Sequence, residues 1–154
     1  MNIHRLNCAQ LEVATAVVEV QKAAYSVEAV IIGHSDLPPL RETVQDIKNS
    51  AEEFYGYYHE ELLAGVISLD SQPNEVLVSR LVVHPDSFRR GIASALLRHA
   101  EMQARTTKAS ILKVNAAARN LPALALYRKL RFQSDHEYTT PDGVNMIELR
   151  KTIY

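Results

Sequence analysis

The chemistry most readily read from this chain lies in Phe88-Arg89-Arg90-Gly91-Ile92-Ala93-Ser94, where a β-like apolar run gives way to a helical period. The first N–H groups of a helix lack intrahelical acceptors and sit at the positive end of its dipole, so such a start is an anion site. A glycine there lets a phosphate reach the backbone, and the small Ala93 and Ser94 keep the approach open. Arg89 and Arg90 add charge that can meet phosphate oxygens. The plain alternative is a helix start with glycine as a steric convenience and two solvated arginines. Further along, Ala123, Leu126, Tyr127 and Leu130 fall at i, i+3, i+4 and i+7, which turns Tyr127 inward. An inward phenol is ordinarily a core residue whose hydroxyl finds a carbonyl.

Other motifs fit badly. No G-x-x-x-x-G-K-[ST] is present, and the five glycines never make G-x-G-x-x-G, which disfavours nucleotide hydrolysis and dinucleotide binding. Histidines at 4, 34, 59, 84, 99 and 136 show no ligand spacing with one another or with Cys8, so no metal is expected. His84, before a proline at a strand end, reads as a loop residue. Asn115 and Asn120 flank a strand end, where asparagine usually forms turns; Asn120 also stands where it can cap the next helix.

These side chains need elements to hold them. Apolar residues at Leu11, Ala14, Val17, Val18 and Ala24 predict a first helix, with Asn7 and Gln10 at capping-box spacing and Asn7 as N-cap. A loop through Gly33, His34 and the Pro38-Pro39 pair follows, then a short helix over about 40–48. Residues 53–70 read as two strands around a turn at His59 to Glu61. A turn at 71–74 leads into a strand from Glu75 to Val83. From Gly91, Ile92, Leu96, Leu97, Ala100 and Ala104 share one helical face. Residues 110–116 read as a strand and 121–130 as a helix with Pro122 in its first turn. Strands at 132–140 and 144–153 join through Thr140-Pro141-Asp142-Gly143. With an initial strand, the order is β, two helices, three strands, helix, strand, helix, two strands: a mixed α/β (α+β) domain. The stretch from Val76 to Val114 reads as a βαβ unit, so its strands are expected to be parallel.

Two stretches together resemble the GCN5-related N-acetyltransferase (GNAT) superfamily. The family's pyrophosphate loop, Arg/Gln-x-x-Gly-x-Gly/Ala, falls on Phe88 to Ala93, with Gly91 and Ala93 matching and Phe88 in the polar first position. Its downstream pattern, Asn-x-x-Ala-x-x-Leu-Tyr-x-Lys-x-Gly-Phe, falls on Asn120, Ala123, Leu126, Tyr127, Lys129 and Phe132, with Arg131 at the glycine. The match covers roughly Val76 to Phe132. The resemblance implies a mixed, mostly antiparallel sheet with a splayed parallel pair and flanking helices. Acetyl-CoA would lie in the splay, its pantetheine arm against the backbone of Leu81, Val82 and Val83. Its pyrophosphate would sit on the amides of Arg89, Arg90, Gly91, Ile92, Ala93 and Ser94, with Asn120 as a further cofactor contact.

The activity implied is N-acetyl transfer to a primary amine of a small-molecule or peptide acceptor, by direct attack in a ternary complex, with Tyr127 as general acid to the CoA sulfur. Family members often carry a base glutamate on the strand entering the loop, and "VLVSRLVV" contains none. Glu75 just before it, a water-mediated route, or no dedicated base all remain open, since an α-amine has a pKa of about 8 and is partly neutral at pH 7. A fold-sharing acyl-CoA-binding or regulatory module without turnover is the alternative reading. The acceptor would enter past residues 26–40 and the Thr139 to Gly143 hairpin. There Glu28, Asp36, Glu42, Glu52 and Glu53 lend a mild acidic bias that suits a cationic amine. Homodimers are common in the family, though no segment here marks an interface.

Bulk properties agree. The 154 residues are 47% apolar and 23% charged, the size and make-up of one globular domain over 1–154. A net charge of −1 points to no nucleic-acid partner. Without a long apolar run no membrane partner is expected, and Cys8, the single cysteine, suits a reducing cytoplasm.

Overall fold

The computed structural model describes residues 2–153. Seven strands and four α-helices follow one another as β1 (Ile3–Leu6), α1 (Leu11–Ile32), α2 (Val44–Lys48), β2 (Glu53–His59), β3 (Leu62–Gln72), β4 (Glu75–Val83), α3 (Ile92–Thr106), β5 (Ile111–Ala117), α4 (Leu121–Lys129), β6 (Gln133–Thr139) and β7 (Asn145–Thr152). This is the order expected from periodicity. The strands form one sheet in the order β1-β2-β3-β4-β5-β7-β6, antiparallel except between β4 and β5. No helix among the described residues is long and apolar enough to cross a membrane.

The sheet opens at its parallel pair. β4 and β5 stay in register only over Glu75–Ile111, Val76–Leu112 and Leu77–Lys113. Immediately beyond, the β3–β4 register slips between Ser68/Leu69, leaving Ser79 as the extra residue of a bulge. A bulge bends its strand and reverses which face each later side chain takes. Val76 and Val78 accordingly belong to the core under α3 and α4, whereas Val82, of the same parity, packs with α1. β4 thus leaves β5 at the bulge while keeping its partners on β3, and a cleft opens between them.

The helices cover both faces. α3 buries Ile92, Leu96, Leu97, Ala100 and Ala104, the stripe its sequence carries. Removing a side chain such as Leu96 from water contributes about 1.5–3 kcal/mol. α1 and α2 close the other face with Ala14, Val17, Val18 and Ile47.

Three local expectations need correction. Asn7 does not cap α1: Gln10 holds that position, while Asn7 Oδ1 accepts from the Ala9 N–H at 3.2 Å in a tight turn. The helix expected over 40–48 is divided. Pro38–Arg41 form a 3-10 turn, and Thr43 starts α2 afresh through reciprocal capping with Asp46. Most consequentially, the loop expected over 26–40 is helical as far as Ile32. No breaker interrupts Val27 to Ile32, and α1 runs on to Gly33, whose φ of 69° ends it.

Candidate active site

Gly91 is the N-cap of α3 with φ 74°, and Arg89 two residues earlier is also left-handed, at 65°. Holding a non-glycine residue there costs about 1–2 kcal/mol, a strain typical of ligand-binding loops. A Cβ placed on Gly91 would meet no atom within 4 Å. The amides of the first turn therefore face open space, as an anion cradle needs.

This cradle opens on a cleft of about 660 Å³ between β4, α1, α3 and α4. Leu81, Val82 and Val83 line it from β4, and Arg89, Gly91, Ile92, Ala93 and Ser94 line it where α3 begins. Asn120 and Tyr127 line it as well. Arg90 is outside the lining, with Nη1 3.2 Å from His59 Nε2. Asn120 has both amide atoms engaged: Oδ1 caps α4 by accepting from the Ala123 N–H at 3.2 Å, and Nδ2 donates to Glu28 Oε1 at 2.7 Å. Phe88, 43% exposed, presents an apolar face at the cleft's rim.

A second cleft of about 540 Å³ lies behind the first, bounded by the Pro38–Pro39 turn, the bulged part of β4, the end of β5 and the β6–β7 hairpin. Tyr25, Glu28, Leu81, Ala123 and Tyr127 line both. Tyr127 is 6% exposed, its ring edge-on to Phe132 with centroids 5.8 Å apart. Its hydroxyl takes no hydrogen-bond partner among the described residues, yet it is not sealed off, because it borders both clefts. Burial first, and then the charge of Glu28, push its pKa well above the ordinary phenol value, so it stays protonated and acts as a donor. Tyr25 is raised for the same two reasons.

Sequence reasoning passed over Tyr25, and it named Glu28 only as one of five acids lending a mild bias; both line the two clefts. A helix carried through Ile32 would have placed Glu28 three residues beyond Tyr25 on a common face. Burial raises the Glu28 carboxyl above the usual range against the lowering hydrogen bond from Asn120. Glu75, one of the open choices for a base, pairs with Lys113 at 3.2 Å where the strands are still joined, and lines neither cleft. His84 accepts the Asp86 N–H at 3.1 Å and serves its loop. Asp135, His136 and Glu148 bring ligand-type atoms within 4.8 Å of one another on the outer hairpin. Arg150 at 3.7 Å from Asp135 and Lys113 at 3.4 Å from Glu148 already answer those charges.

Beside the second cleft, Arg80 ties α1, the loop before α2 and β4 together. Its Nε and Nη2 donate to Glu52 at 2.9 and 3.0 Å, Nη1 and Nη2 to Glu42 at 2.6 and 3.0 Å, and Nη1 to Gln21 Oε1 at 2.8 Å. All five guanidinium N–H groups are spent.

A mixed sheet parted at its one parallel pair, with a cleft between the parted strands, is the architecture that the comparisons identify. The chain belongs to the acetyltransferase (GNAT) domain family, whose model matches residues 20–153. It is 38% identical over 132 residues to UPF0157 protein YqkA of Bacillus subtilis (strain 168), which covers 86% of this chain and 38% of that protein. The chain thus spans well under half the length of that relative. Among solved structures, the ribosomal-protein-S18-alanine N-acetyltransferase of Escherichia coli superposes with a TM-score of 0.77 at 19% identity, covering 98% of this chain and 92% of that one. The PaiA N-acetyltransferase of Thermoplasma acidophilum, solved in complex with coenzyme A, gives 0.76 at 17% identity over 96% and 98%. A GNAT family acetyltransferase from Elizabethkingia anophelis with acetyl-CoA bound gives 0.63 at 16% identity, covering 66% of this chain and 76% of that one. These likenesses establish the mixed α/β GNAT fold.

Proposed function

We propose that this chain is an acetyl-CoA-dependent N-acetyltransferase that passes the acetyl group directly to a primary amine. One observation carries the reading. The first cleft is lined by both the Gly91 cradle and Tyr127, and Tyr127 also lines the second, so a substrate in each cleft can reach the same side chain. The diphosphate of CoA would rest on the amides of the α3 start, with Arg89 beside it. The pantetheine would extend along Leu81 to Val83, where β4 has lost its β5 partner. The thioester then reaches Tyr127 with the amine opposite. The amine attacks the carbonyl carbon, the C–S bond breaks, and the phenol donates to the departing thiolate. The donation is worth more to the thiolate than to the thioester sulfur, a poor acceptor, and so favours the transition state. The coenzyme A held by the Thermoplasma protein supports a ligand of this class.

Direct attack is favoured over an acetyl-cysteine route. Cys8 is buried and lines neither cleft, and burial pushes its thiol up to about 11, leaving little thiolate at neutral pH. The cradle has its own test. Acetyl-CoA at a hundred times its Kd should stabilise the wild type by about 2.7 kcal/mol. Gly91→Val should abolish most of that gain, because the new side chain fills the open space. The ligand-induced gain is the readout, since valine at this φ also lowers the baseline stability. Equal gains in wild type and variant would remove the phosphate site from Gly91.

A further inference from the structure

On the reading of the chain as an amine acetyltransferase, we propose that the second cleft accepts primary amines with an apolar body and no anionic group beside the amine, and that Glu28 receives the acceptor's ammonium and removes its proton. Three charged side chains line this cleft: Glu28, Arg80 and Asp142. Arg80 has every donor committed to Glu42, Glu52 and Gln21, so it offers nothing to a substrate carboxylate or phosphate. Asp142 is met by His34 at 3.0 Å and by Thr140 Oγ1 at 2.5 Å. Glu28 is the lining carboxylate without a basic partner among the described residues, held by the Asn120 amide at 2.7 Å. The rest of the wall is largely apolar, including Leu37, Leu77, Val78, Leu81, Val144 and Met146. About 540 Å³ is ample for a small amine.

Charge and shape then select together. An ammonium entering here finds one uncompensated carboxylate, whereas an anion beside it would be desolvated with no cation to meet it. Glu28 borders the thioester cleft as well, so the ammonium it holds lies next to the reaction. The protons balance. Glu28 takes one from the ammonium before attack. The C–N bond forms as the C–S bond breaks, and the second nitrogen proton passes to the thiolate through the Tyr127 hydroxyl, which is restored. Products are the acetamide, CoA thiol and one proton released from Glu28 to solvent. Burial places the carboxyl above its usual range, closer to the working pH of a base. Around it stand Tyr25 of α1, Asn120 at the N-cap of α4 and Tyr127 within α4, all neutral.

The test is a matched panel read by CoA thiol release and product mass: 2-phenylethylamine, an amidated peptide beginning with phenylalanine, L-phenylalanine and O-phosphoethanolamine. The first, the second or both should exceed the last two by about 100-fold or more in kcat/KM; which of them leads tells a free amine from a polypeptide terminus. Glu28→Gln should lower kcat by about 10²–10⁴ and move the acid limb of the pH profile up to that of the amine, with partial rescue by Glu28→Asp. Equal use of L-phenylalanine or O-phosphoethanolamine overturns the proposal, as does an unshifted profile in Glu28→Gln. So does the absence of any acetylated amine while acetyl-CoA still stabilises the protein. Should acetyl-CoA fail to stabilise the wild type, the transferase reading falls along with it.

Discussion

At the residue scale, Tyr127 joins a buried ring to a hydroxyl that makes no hydrogen bond among the described residues and opens on the clefts. A core tyrosine ordinarily spends its hydroxyl on a carbonyl, and losing that bond costs about 1 kcal/mol. Tyr127 has no such bond to lose, so Tyr127→Phe should leave the melting temperature almost unchanged. Its raised pKa argues against a free phenolate, so on the proposed reading the hydroxyl gives its proton to sulfur only as it takes one from nitrogen. We expect kcat to fall by about 10²–10⁴ with acetyl-CoA affinity retained. Turnover and melting temperature measured on one preparation check this. A variant with normal kcat, or one that loses stability instead of rate, would return Tyr127 to a packing role.

At the scale of elements, the Ser79 bulge and the Arg80 clamp act together. The bulge turns Arg80 to the α1 side of the sheet, and there it pins the loop that floors the second cleft. Removing it in Arg80→Met would leave Glu42 and Glu52 facing each other with little solvent, at a cost of roughly 3–5 kcal/mol. The pH dependence should then reverse. In the wild type burial raises the Glu52 pKa, but hydrogen bonds from Arg80 and Ser68 outweigh it and the net shift is downward. A depressed carboxylate contributes stability that is full above its unfolded pKa of about 4.3 and fades as pH falls through the folded value. Without Arg80, burial would raise the Glu52 carboxyl, so its protonation beside Glu42 would relieve the pair and stability would climb as pH drops from 7 towards 5. Glu28 titrates in both proteins and cancels in the comparison. Thermal melts across that range decide the matter: parallel curves for wild type and variant would contradict the clamp.

At the scale of the whole molecule, the order of elements, the parallel pair and the α3 start were legible because each rests on local periodicity. The stripe from Ile92 to Ala104 and the apolar run of β4 leave little choice of structure. The second cleft was not legible. It depends on a bulge with no sequence signal of its own, on α1 continuing through Glu28, and on an asparagine that binds across 92 positions of chain. Arg131 illustrates the same limit. It holds φ 74° at the position of the family's glycine, and Phe132 still returns its N–H to Tyr127 at 3.0 Å, so the turn closes despite the substitution. What the assembled molecule should do is move an acetyl group between two substrates that meet at Tyr127. The most direct measurement is single-turnover incubation of the wild type with acetyl-CoA and the amine panel, counting CoA thiol and acetylated amine by mass spectrometry. Both products are expected in equal amounts, formed more slowly by Tyr127→Phe at unchanged acetyl-CoA binding. Acetyl-CoA bound but left intact with every amine would contradict direct transfer and mark the cleft as a binding module.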